Sequence, residues 1–251
     1  MKLDWIHGTI DRRVLLNYRL DPEILRPALP RPFRPKLYRG YAIGGVCMIR
    51  FKGLRPRFSP AILGLGSENA AHRFAVEWDQ DGKQCEGVFI PRRDTNSWFN
   101  KSLGGRVFPG IFERSRFDIN ETASTVSVQI VRADGETEIS FSGHISGALP
   151  ESSIFPSVAE AAGFFSLGAT GYSATRSPDH FHGMELRSRD WTIQPLAVDE
   201  AHSCFFDDER RFPEGTKVLD SALLMRGIDH EWHSRPDLYL ADDGHSLTTR
   251  P

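Results

Sequence analysis

The chain has 251 residues, 39% of them hydrophobic and 25% charged, with a formal net charge of −2. That balance suits a globular protein able to bury a sizeable core, and it offers no electrostatic handle for nucleic acid or an anionic membrane. The three cysteines, Cys47, Cys85 and Cys204, form no CxxC and read as reduced thiols of a cytoplasmic protein. At the N-terminus, "MKLDWIHGTIDRR" carries Asp4 and Asp11 and lacks an apolar core, so no signal peptide is expected. No apolar run is long enough to predict a membrane span.

"RVLLNYRL", residues 13–20, alternates Val14, Leu16, Tyr18 and Leu20 against Arg13, Leu15, Asn17 and Arg19, which predicts a strand. "DPEILRPALP" predicts a short helix capped by Asp21, opened by Pro22 and limited by Pro27 and Pro30. "YAIGGVCMIRF", residues 41–51, is apolar on both faces and predicts a buried central strand. Residues 52–66, with Pro56, Pro60, Gly64 and Gly66, predict a loop. In "SENAAHRFAVEW" Glu68, Ala70, His72, Phe74, Val76 and Trp78 share one strand face; Asn69, Ala71, Arg73, Ala75 and Glu77 share the other. "DQDGK" turns the chain into a strand at "CEGVFIP", after which Asp94 is the expected cap of a helix "TNSWFNKSL", ended by Gly104–Gly105. Strands follow at "VFPGIFERSRFDI", "STVSVQIV" and "TEISFSGHISG", the last two joined by "ADGE" as a hairpin. Ser157 and Glu160 stand at capping-box spacing before "VAEAAGFF", and alternation resumes around "RDWTIQPLAV" and "VLDSALLMRGIDHEW". No repeat or linker interrupts the chain, so residues 1–251 are expected to form a single domain. Many strands with two or three short helices predict an α+β fold, mainly an antiparallel β cone or barrel.

Several of these stretches together resemble the acetoacetate decarboxylase superfamily, and more narrowly its YqjF-like branch of unknown function. "NYRLDPEILRPALPRPF" is similar to the opening strand, helix and Leu-Pro turn of that superfamily. "GSENAAHRFAVEW" resembles its glutamate-bearing strand, and "FNKSLGGRVFPGIF" its helix and Pro-containing catalytic turn. "FFSLGATGYS" and "RDWTIQPLAV" match the later part of the YqjF-like branch, so the resemblance runs over residues 12–235. It implies a curved sheet closed around a small-molecule cavity, no cofactor, and a homo-oligomer. In the decarboxylases two consecutive lysines follow the proline of the turn, one forming a Schiff base and the other lowering its pKa. The corresponding positions here are Gly110 and Ile111, which have no amine. A second carboxylate of that family falls near Gly45 or Val46 and is also missing. Its N-terminal arginine falls at Asp11, where a slip of one or two residues makes Arg12 or Arg13 the equivalent. Glu68 alone matches cleanly.

Glu68 is therefore the candidate catalytic residue, an inward carboxylate suited to proton transfer; the plainer alternatives place it in solvent at the strand's start or against an arginine. His72 on the same face is a candidate ligand-binding residue or a satisfied core histidine, with Trp78 deeper along the same wall. Arg106 and Arg13 are candidates to hold a substrate carboxylate, and Gly110 marks the turn beside it. His180 with His182, and His230 with His233, lack a partner carboxylate or cysteine at a familiar spacing, so no metal is expected. All six lysines fall in loops, turns or exposed helix faces, Lys101 among them. No phosphate-binding glycine loop and no GxSxG is present. Three functions remain: acid–base chemistry through Glu68 on a carbonyl or carboxylate compound, binding or sensing of a small molecule without turnover, and Schiff-base lyase activity by a displaced lysine.

Overall fold

The computed structural model describes residues 5–56, 59–60, 62, 64–103, 109–188, 192–240 and 247–250. In chain order the elements are β1 (Trp5–Leu20), α1 (Pro22–Ala28), β2 (Arg34–Pro35), β3 (Leu37–Tyr38), β4 (Tyr41–Pro56), β5 (Leu65–Gln80) and β6 (Lys83–Thr95). Then come α2 (Trp98–Leu103), β7 (Phe112–Glu121), β8 (Thr125–Arg132), β9 (Thr137–Ile145), α3 (Val158–Ser166) and β10 (Thr170–Ala174). The rest are β11 (His180–Ser188), β12 (Gln194–Ser203), β13 (Lys217–Leu240) and β14 (Leu247–Arg250). The fold is α+β and dominated by strands.

All these strands belong to one sheet whose pairings return on themselves. A smaller circuit runs β5–β6–β10–β11–β13–β1–β4 and back to β5. A larger one leaves β6 through β7, β8, β9 and β12 before rejoining β13. Both use β13, β1, β4, β5 and β6. Pairing is antiparallel except where β6 meets β7 and β10. β1 pairs with β13 from Trp5↔His233 to Leu20↔Lys217, so the first and the late strands lie side by side.

The shared strands are buried on both faces. Leu16, Met48, Phe74, Val76 and Trp78 join a core that extends to Phe141 and Phe206. Leu15, Ile43, Ile49, Ala75 and Leu223 face the other way, toward Phe155, Phe164 and Phe165 at α3. This is why residues 41–51 are apolar without alternation: each parity meets its own core.

Local chemistry sets several element ends. Asp21 accepts the Glu23 amide at 2.8 Å and Pro22 opens α1. Ser157 accepts the Glu160 amide at 3.1 Å, but the Glu160 carboxylate takes the Tyr38 hydroxyl, so only half of the capping box forms. Two expectations need correction. The loop assigned to residues 52–66 is shorter, because β4 continues to Pro56 and β5 begins at Leu65. Asp94 does not cap α2; it ends inside β6, where it takes Ser115 and Arg92, and Ser97 caps the helix instead. The expected stop at Gly104–Gly105 lies outside the described residues. No helix among them is long and apolar enough to cross a membrane.

Candidate functional site

Strand register builds a cavity on the α3 side of the shared sheet. Three neighbouring rows cross it: Arg13↔Ile49↔Asn69, Leu15↔Cys47↔Ala71↔Arg93, and Asn17↔Gly45↔Arg73. Side chains of one parity project to this side, and several are too small to fill it. Ala71 and Ala75 contribute one methyl each. Gly45 has no choice, since a Cβ there would stand 2.1 Å from the Leu16 carbonyl oxygen on β1. The result is a cavity of about 110 Å³ to which every strand of the smaller circuit contributes, roofed by Phe164 and Phe165. On a scale of about 10–15 Å³ per water-sized group, that is room for roughly seven to eleven of them.

The lining is apolar apart from a concentrated positive charge. Arg13, Arg73 and Arg93 all reach it, with Cys47 and Asn69 between them. Arg73 is 4% exposed; its guanidinium crosses the bare Gly45 to bond the Asn17 side-chain oxygen and lies 5.0 Å from the Phe165 ring. Arg93 donates to Ser173 Oγ from Nε at 3.2 Å and from its terminal nitrogen at 2.9 Å, and packs over Phe112. Burial pushes both guanidinium pKa values down to about 10, which leaves them cationic at neutral pH. Neither has a carboxylate within ion-pair distance among the described residues, and Arg73 Nε makes no hydrogen bond there. A buried charge met only by neutral groups is costly.

The residues expected at the site divide between this cavity and the opposite face. Arg13 lines it, donating from Nε to Cys47 Sγ at 3.3 Å. Glu68, His72 and Trp78 do share a face, but it is the face turned away from the cavity, which corrects the expected common wall. Glu68 accepts Arg12 at 2.7 Å and also bonds Arg50, which reaches on to Glu121. His72 is fully buried, 3.2 Å from Ser203 Oγ and 3.6 Å from Glu138, and burial holds its pKa down to about 3, helped by Arg92 and Arg211. Ser203 and Glu138 approach the same ring nitrogen, so the three do not form a nucleophile–base–orienter chain. Trp78 packs edge-on to Phe33 and Tyr172. Arg106 lies outside the described residues.

The turn itself does reach the cavity, through Pro109. Gly110 takes φ +84°, and a Cβ there would stand 2.7 Å from Ser173 Cβ. Its amide donates to His182 Nδ1 at 3.0 Å. His180, His182 and Asp237 bring ligand atoms within 4.8 Å of one another, the carboxylate coming from β13, far away in sequence. With a backbone donor on Nδ1, neutral His182 carries its proton on Nε2, a tautomer that donates rather than ligates. His180 is spent on Asp237 at 3.0 Å and stacks on Tyr239. His230 and His233 stand three apart on a strand and point to opposite faces.

Lys36 also departs from expectation. It lines the cavity edge, paired with Glu86 at 2.7 Å and lying over the Phe164 ring, whereas Lys101 is exposed. Sequence reasoning passed over Cys47, Arg73 and Arg93. For Arg73 the signal was a charge alternating with Phe- and Val-bearing positions on a strand buried on both sides.

Solved structures of the same fold are acetoacetate decarboxylase-like. The acetoacetate decarboxylase from Legionella pneumophila is 12% identical, with TM-score 0.57 over 94% of this chain and 88% of that one. The enduracididine biosynthesis enzyme MppR, complexed with pyruvate, is 10% identical, with TM-score 0.60 over 97% and 92%. An acetoacetate decarboxylase-like enzyme from Sphingomonas wittichii RW1 is 11% identical, with TM-score 0.53 over 100% and 94%. No curated protein matches the chain in sequence. Residues 8–221 match the family described as "Uncharacterized conserved protein (COG2071)", and the chain belongs to that family, DUF2071.

Proposed function

We propose that the protein binds a small carboxylate-bearing molecule in the cavity walled by Arg13, Arg73 and Arg93, without forming an imine at the turn. The observation that carries this reading is the buried guanidinium of Arg73 and the half-buried one of Arg93, whose described partners are neutral. A carboxylate supplies the missing counter-charge and suits the planar, forked donors of arginine. The structural neighbour MppR has been solved in complex with pyruvate, itself a small carboxylate. Glu68 enters this proposal only as the partner of Arg12 and Arg50. No histidine or carboxylate lines the cavity among the described residues, which favours binding over acid–base turnover.

The test is thermal denaturation with acetate, pyruvate, butyrate and 2-oxobutyrate, each against its amide. A ligand that binds only the folded state raises Tm with concentration. Acids should raise it, amides should not, and Arg73→Met should remove the difference. Equal shifts for acids and amides, or none at all, would rule the proposal out. Borohydride with pyruvate or acetoacetate should leave the protein mass unchanged; an adduct on Lys36 would favour the displaced-lysine lyase instead.

A further inference from the structure

We propose that Cys47 is a nucleophilic thiol of this cavity, suited to small carboxylates that carry an electrophilic carbon. The inference rests on the carboxylate reading above and adds a reactive group to it. Cys47 sits in the middle row of the register, with Leu15 on one side and Ala71, then Arg93, on the other. Its sulfur lines the cavity and accepts the Arg13 Nε proton at 3.3 Å. Arg73 is its diagonal neighbour, one strand over and two residues along, a relation that spans about 7–8 Å. Ala71, with a single methyl, does not screen Cys47 from Arg93.

Arg13, in direct contact, and Arg73 and Arg93 on the same lining surround the sulfur with cationic side chains. A second, independent observation points to a ligand. Arg73 lines the cavity, is more than nine-tenths buried, and its Nε has no hydrogen bond among the described residues. An acid held by Arg73 and Arg93 therefore has its carbon chain within the span that separates them from the thiol. The other cysteines lack these features. Cys85 and Cys204 are half-buried, do not line the cavity, and direct their sulfurs to the carbonyl oxygens of Lys83 and Thr137.

With an α-halo acid the step is a displacement. Sulfur attacks the α-carbon, the S–C bond forms, the carbon–halogen bond breaks, halide leaves with the bonding pair, and the thiol proton goes to water. No oxidant or reductant is required.

Iodoacetate and iodoacetamide deliver the same electrophile with and without the carboxylate, so their rate ratio reports anion guidance. The full chain is treated with each at limiting reagent, and the alkylated cysteines are read by peptide mass spectrometry. The iodoacetate-to-iodoacetamide ratio at Cys47 should exceed the ratio at Cys85 in the same molecules by roughly tenfold or more, the scale of electrostatic focusing in a charged cleft. Arg73→Met should bring it down to the Cys85 value, and Arg93→Gln serves the same purpose if the first variant does not fold. A Cys47 that stays unmodified, or that shows no preference beyond that of Cys85, overturns the inference. Acids that raise Tm while Cys47 stays inert sink the thiol alone and leave the carboxylate reading standing. Absence of both effects sinks the two together.

Discussion

Arg12 and Arg13 are consecutive residues of β1 that meet opposite fates. Arg12 is 0% exposed and shares Glu68 with Arg50, inside a network that continues to Glu121 and Asp11. Arg13 turns to the other face, where Arg73 and Arg93 lie and where no carboxylate lines the cavity among the described residues. On one side of the sheet the buried arginine is paired with carboxylates; on the other, the described hydrogen-bond partners of Arg73 and Arg93 are neutral.

The sharpest way to break that contrast is to remove Glu68. Glu68→Ala leaves Arg12 buried with Glu121 no nearer than 3.8 Å, and should cost about 3–5 kcal/mol in denaturant unfolding. The Tm rise with carboxylic acids should survive it. A variant of near-normal stability that no longer responds to acids would invert the roles of the two faces.

Acid pH probes both faces next, through His72 beside Glu138 on the Glu68 face and His230 against Phe51 and Trp232 on the cavity side. Burial holds His72 down to about 3 and His230 to about 4, both below the unfolded value of about 6.5. The unfolded chain therefore binds protons that the native one refuses. This stabilisation is complete above about pH 6.5 and is lost as pH falls toward the folded values, on the order of 2 kcal/mol for each histidine at about pH 5. Glu138, pushed up by burial, works in the opposite sense. NMR titration of the imidazole carbons separates the two: neither buried histidine should titrate between pH 7 and 5.

At the turn, Gly110→Ala should cost about 1–3 kcal/mol, because φ +84° and the Ser173 contact both oppose a side chain. Gly110→Lys should fare no better and should not restore borohydride trapping. A folded, trappable lysine variant would show that the turn adapts.

The smallest change in stability, and the most telling, is expected at Arg73. Arg73→Met removes an uncompensated charge and should shift stability by no more than about 1 kcal/mol in either direction, while abolishing the acid-dependent rise in Tm. A large loss of stability would mean that Asn17 and Phe165 alone satisfy this arginine.

Much of the architecture was legible in the chain. Asp21–Pro22, Ser157 and the hairpin at "ADGE" act locally, and each forms where its residues indicate. Alternation in β5 held as well, with Glu68, His72 and Trp78 on one face. What alternation cannot report is which face of a doubly buried strand encloses empty space. Phe74, Val76 and Trp78 are large and fill their side; Ala71 and Ala75, opposite them, leave room. Reading large apolar residues as a cavity wall therefore reversed the two faces. Asp94 misled for a different reason: a capping residue type within a strand still running is claimed by its neighbours, here Arg92 and Ser115.

The pairing of β1 with β13 also carries a consequence for synthesis. β4, β5 and β6 follow β1 closely, so an early meander can assemble while the ribosome is still at work. The other edge of β1 must wait for residues 217–233. Until they emerge, an apolar strand presents unpaired amides and carbonyls, a template for joining the wrong chain. Nascent chains stalled before residue 217 should therefore depend on chaperones and aggregate when released.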